Sequence, residues 1–212
     1  TAYSAMVLVY GPRSAAERLA ENVRRRHESV RGVTAAGQAY SASDPELLNW
    51  VRATVSFGMV EAHRAFAGGL TEGDRERFYA EGARISDLFG ASGAPTSIKD
   101  SDAFMKAMSA SLCPNEAILE VLGVLRRAPI LPAPFRPIQG LLVRGAIGLV
   151  PEDLRRRLAL DRGPGLTRGA ATALRALGGL VGDATPAAQS CLRLGLPADH
   201  LRRKATKTVL RA

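Results

Sequence analysis

The sequence is poor in cysteine, lysine and aromatic residues, and these scarcities exclude several classes of protein. Only two cysteines, Cys113 and Cys191, are present. They are too few for a disulfide framework and fit no common metal-binding spacing, so we expect them to pack as small apolar residues in a reducing, cytoplasmic environment. No apolar run approaches the roughly 18 residues of a membrane-spanning helix. A chain of 212 residues with 46% hydrophobic content should form one soluble domain with a substantial core.

The net charge of +9 invites a comparison with nucleic-acid-binding proteins, but the distribution of the charges argues against that function. Lysine occurs only at positions 99, 106, 204 and 207, and the arginines are spread through many segments. The densest basic clusters, at 24–26, 155–157 and 202–207, are not interleaved with the aromatic side chains that stack on single-stranded bases. We therefore predict no nucleic-acid partner.

Helical periodicity dominates the chain, and no segment shows sustained strand alternation. Helices are predicted over 1–10, from Ser14 to Gly32, from Pro45 to about Phe66, from Thr71 to Gly90, and over 98–112, 115–127, 138–149, 151–160, 166–182, 186–194 and 198–211. Residues 33–42 are predicted to be a loop or small hairpin, and the four prolines of 129–137 predict an extended strap. The predicted fold is all-α: a single-domain multi-helix bundle over 1–212, with orthogonal, globin-like packing as one arrangement.

Capping patterns support several of these helix starts. Ser14 with Glu17, and Ser43 with Glu46, have the capping-box spacing, and Thr71 with Asp74 marks a third start. The 45–66 helix should be central, because Trp50 and Phe57 make one face apolar and seven residues with helical spacing make the opposite face apolar too: Leu47, Leu48, Val51, Val55, Met59, Ala62 and Phe66.

The two ends of the chain carry separate expectations. The first ten residues are almost wholly apolar and predict a buried core helix. Because the chain opens with Thr1 rather than methionine, we expect residues upstream, and an export signal there stays open. Residues 198–212 should form a basic surface tail.

One of only three histidines lies in the segment VRRRHESVRG and is the main candidate for a functional side chain. On a helical wheel, His27 shares one face with three apolar residues: Leu19, Val23 and Val30. Two roles are compatible with this position. The ring is either a core histidine satisfied by hydrogen bonds, or a neutral imidazole that coordinates haem iron while an apolar pocket covers the porphyrin and an arginine pairs with a propionate. On the same wheel, Arg25 and Arg26 fall on the solvated side.

No other site competes strongly with this histidine. His63, in VEAHRAF, is the second candidate ligand, but its charged neighbours Glu61 and Arg64 predict a surface position. The chain has no GxSxG, no HExxH and no glycine loop of the phosphate-binding kind.

Four blocks, in order, resemble one known family: TAYSAMVLVYG, VRRRHESVRG, YSASDPELLNWVRAT and GGLTEGDRERFYAEGARISDLFG. They are similar to bacterial haem oxygenase-like proteins that include the latex-clearing rubber oxygenases and share a catalytic domain with fungal MpaB-type oxygenases. The resemblance covers residues 1 to about 90. Arg52 of the WVRAT block stands where many relatives have histidine.

The resemblance implies a haem b-binding oxidoreductase or oxygenase that acts on an apolar organic substrate with dioxygen. His27 would be the axial iron ligand, Arg24 and Arg31 would help to bind the cofactor, and Thr1 would be a catalytic residue on the distal side. From the faces of the opening and long helices, we expect the pocket to be lined by Thr1, Met6, Val51, Thr54 and Phe57. The alternative is a haem-free helical protein that binds a ligand or partner on the same scaffold.

Overall fold

The computed structural model describes residues 2–34, 37–66, 70–128, 136–160, 169–172, 176 and 185–200, and nearly all of its regular structure is helical. In chain order the elements are α1 (Ala2–Tyr10), α2 (Arg13–Glu28), β1 (Arg31–Val33), β2 (Ala39–Ser41), α3 (Pro45–Phe66), α4 (Glu72–Leu88), α5 (Ile98–Ser109), α6 (Glu116–Arg127), α7 (Arg136–Leu149), α8 (Glu152–Arg157) and α9 (Pro186–Arg193). The all-α fold class is confirmed.

Most predicted helices occur close to their predicted positions. Three predictions lie largely outside the described residues: the proline strap, the 166–182 helix and the basic tail. Within the described ranges, no helix combines the length and the apolar character needed to cross a membrane.

The hairpin predicted at 33–42 is present, but it begins earlier than expected. Strands β1 and β2 pair antiparallel, with Gly32 opposite Tyr40. A Cβ on Gly32 would lie 2.8 Å from the Tyr40 hydroxyl, so the aromatic ring occupies the space of a side chain. The prediction that Gly32 ends α2 is therefore wrong: the helix ends at Glu28, and Ser29 follows in a right-handed conformation.

The helix starts agree with the capping predictions in one case of the three. At α4 the Thr71 hydroxyl accepts a hydrogen bond from the Asp74 N–H at 3.1 Å, and the Asp74 carboxylate accepts one from the Thr71 N–H at 3.3 Å. At α2 no side chain caps the helix, because extended Pro12 is the N-cap and Glu17 accepts a hydrogen bond from Arg13 instead. At α3 the first helical residue is Pro45, so Ser43 lies one position too early to cap it.

Contacts divide the chain into two compact units, each with its own small core. The first comprises Thr1–Asn49, Arg84–Gly93 and Gly179–Ala212, and the second comprises Trp50–Ala83 and Ala94–Gly178. Buried residues of the first unit are mainly small: Ala16, Ala20, Ala91, Ala188 and Cys191. Cys191 thus packs as predicted, whereas the prediction for Cys113 is wrong because its side chain is exposed. That all 212 residues form one domain stays a prediction.

Helix α3, most of which belongs to the second unit, buries only part of its apolar surface. Its buried residues are Ala53, Ser56 and Val60. Four members of the predicted stripe have relative exposures between 37% and 58%, namely Leu47, Val51, Val55 and Met59, and the other three are half-buried.

Candidate functional site

The candidate site begins at the junction of α1 and α2, which pack against each other. The chain turns at Gly11, whose N–H donates to the Val7 carbonyl at 2.9 Å. A Cβ at this position would lie only 2.5 Å from the same oxygen, so the turn requires glycine. From α9, Ser190 Oγ and Arg193 Nη2 donate to the Tyr10 carbonyl at 3.2 and 3.0 Å. These contacts fix the C-terminal end of α1 within the first unit.

The prediction that α1 is a buried core helix is only partly right. The helix forms as predicted, but Met6 and Val9 are 42% and 56% exposed. The other described residues therefore leave part of the apolar surface of α1 exposed.

Helix α2 positions His27. Ala16 and Ala20 are its buried residues, at 8% and 2% exposure. His27 follows Ala20 by seven residues, which is close to two full turns, so its side chain lies on the same face as the two alanines. The imidazole is half-buried, as expected for a residue at the end of an inward-facing stripe.

The imidazole of His27 makes no hydrogen bond to any residue in the described ranges, and the backbone carbonyl of His27 accepts one from the Val30 N–H at 3.0 Å. A core histidine normally has its ring nitrogens satisfied by protein groups or water. The interpretation of His27 as a core histidine held by protein groups therefore has no support among the described residues. The ring nitrogens are not buried, so they are open to water or to an exogenous group.

Beside this histidine, an open cleft of about 710 Å³ lies along α2. Its lining consists of one residue from α1 and six residues in and just after α2: Ser4, Leu19, Asn22, Val23, Arg25, Arg26 and Ser29. The volume lies in the range of roughly 300–1,000 Å³ that is common for ligand sites. His27 is not in this lining, but Val23, one turn before it, is. The imidazole thus lies on the helix face next to the cleft.

Two arginines that the sequence analysis assigned to the solvated side, Arg25 and Arg26, border the cleft while remaining exposed. The signal that could have found Arg26 is its place in a helical stripe, with spacing i, i+3, i+4 and i+7, formed by Leu19, Asn22, Val23 and Arg26. Arg25 hydrogen-bonds to the Asn22 side chain. No residue of the described ranges pairs with the Arg26 guanidinium, which leaves it free to bind an anion.

The two arginines singled out by the resemblance lie outside the cleft lining. Arg24 pairs with Glu21 on the helix surface, and this hydrogen bond lowers the pKa of the Glu21 carboxyl group. Arg31 is exposed in β1. Thr1 lies outside the described residues, so its predicted distal position stays a prediction.

The predicted pocket lining differs from the observed one. The cleft is bordered by neither Met6 nor the α3 residues Val51, Thr54 and Phe57.

His63, the second candidate ligand, is exposed at the end of α3 beside the Glu61–Arg64 ion pair, and its predicted surface position is confirmed. Among the described residues, no three His, Cys, Asp or Glu side chains cluster to hold a metal ion. Haem coordination requires only one protein ligand on its proximal side.

The helical fold and the histidine-bearing α2 belong to an oxygenase catalytic domain. The family model described as "ER-bound oxygenase mpaB/B'/Rubber oxygenase, catalytic domain" matches residues 1–182. The chain belongs to this family, and the resemblance of the four sequence blocks is confirmed. Comparison with curated proteins and with solved structures gives no match.

Proposed function

We propose that this protein is a haem b-dependent oxygenase and that His27 is the axial ligand of the iron. The observation that carries the proposal is the half-buried imidazole on the inward face of α2, which has no hydrogen-bond partner among the described residues. Neutral imidazole is a common iron ligand, and the ring nitrogens of His27 are accessible and have no protein partner among the described residues. Membership in a family of oxygenase catalytic domains supports the same reaction class.

The residues around His27 fit haem in their chemistry. Leu19 and Val23 offer apolar surface in the adjacent cleft. Arginine binds carboxylates with two parallel hydrogen bonds, which suits a propionate. Arg24 and Arg31 are the candidates from the resemblance, and the structure adds Arg26, whose guanidinium borders the cleft without a partner. Bound haem would supply the redox-active iron of an oxygenase.

The proposed substrate is an apolar organic molecule, with dioxygen as the second substrate. Support comes from the family and from the apolar surface of α1, where Met6 and Val9 are exposed close to the start of the chain. Thr1 is proposed as the distal catalytic residue. Its hydroxyl would donate or accept a hydrogen bond at the reacting group, so a Thr1→Val variant should retain haem and lose turnover.

Absorption spectroscopy of the purified protein tests the proposal. We expect a strong Soret band after expression with sufficient haem supply, a loss of that band in His27→Ala, and an unchanged band in His63→Ala. His63 is a matched control because it is an exposed histidine on another helix. A folded, helical His27→Ala variant that keeps the full band would assign the iron to another ligand.

The haem-free alternative predicts a different set of results. A folded protein that stays colourless when titrated with haem, and whose His27→Ala variant behaves like the parent, would favour a ligand-binding or interaction protein. The observation that favours this alternative is the absence of His27 from the cleft lining.

A further inference from the structure

We draw no further inference here: the strongest candidate, the apolar cleft of about 370 Å³ between α6 and α7, carries nothing because the buried amide oxygen of Gln139 does not open into it and nothing in the described part of the structure shows what covers it.

Discussion

Arg52 of α3 and Gly82 of α4 are so close that a Cβ on Gly82 would lie 2.6 Å from Nη2 of Arg52. The Arg52 side chain is half-buried, and this burial lowers the pKa of its guanidinium group. Glycine at position 82 therefore gives the guanidinium its space between two helices.

Gly82→Ala should be destabilising, by about 1–2 kcal/mol, because the new methyl group must displace the partly buried guanidinium. In an Arg52→Ala background the same substitution should stabilise the protein by about 0.5–1 kcal/mol, since only the higher helix propensity of alanine remains. A double-mutant cycle measured by urea unfolding checks this coupling. Gly58→Ala, at a position in α3 with nothing within 4 Å, is the control and should be stabilising in both backgrounds. Additive effects at positions 52 and 82 would contradict the packing.

The buried face of α3 leads to a second prediction. Ala53 is 0% exposed and Val51 is 58% exposed. Ala53→Leu should cost about 1–3 kcal/mol of the free energy of unfolding through overpacking, whereas Val51→Lys should change it by less than about 0.5 kcal/mol. Thermal and urea unfolding of the two variants measure the difference. A large loss in Val51→Lys would show that the side of the helix that carries Val51 is buried.

This helix also shows what the sequence could and could not predict. Its ends, Pro45 and Phe66, follow from a proline suited to a first turn and from the length of the apolar pattern. Its buried face cannot be predicted in this way, because apolar residues lie on all sides of the helix and the hydrophobic pattern alone does not show which side is buried. Which face is buried depends on residues that pack against the helix, such as Gly82, and these are distant in sequence. For the same reason the sequence pointed to His27 on an inward face, but did not show that Arg26 borders the cleft.

Tyr79 and Ser101 form a buried pair in which the Ser101 hydroxyl donates to the Tyr79 oxygen at 3.1 Å. Burial is the main cause that raises the pKa of Tyr79 above 10.0. As the pH rises above about 10, tyrosine in the unfolded state ionises before Tyr79 in the folded state does, so the free energy of unfolding should fall. Below that pH, this contribution to stability is fully present.

Tyr79→Phe should therefore flatten the alkaline loss of stability. It should also cost about 1–2 kcal/mol at pH 7, because Ser101, at 1% exposure, loses its partner. Adding Ser101→Ala should recover much of this cost, since both polar partners are then removed. Unfolding curves from pH 7 to 11 measure both effects, with Tyr40→Phe on the exposed hairpin as the control. An alkaline slope unchanged by Tyr79→Phe would show that another group is responsible.

The arginines near His27 can be ranked by how well each variant binds haem. Arg26 borders the cleft without a partner, whereas Arg24 is engaged by Glu21. We expect Arg26→Ala to weaken haem binding about three- to tenfold by removing a charged hydrogen bond to a propionate, and Arg24→Ala to have a smaller effect. Haem titrations followed at the Soret band supply the affinities. The reverse order would favour the arginine indicated by the family resemblance.

The most direct test of the central claim is chemical rescue of the proposed iron ligand. His27→Gly protein is titrated with haem, with and without free imidazole, and the Soret band is recorded. The account predicts weak binding without imidazole and recovery of the parent spectrum with it, because imidazole can enter the space left by the side chain. A His27→Gly protein that is helical and binds haem like the parent without imidazole would contradict the assignment of His27 as the ligand.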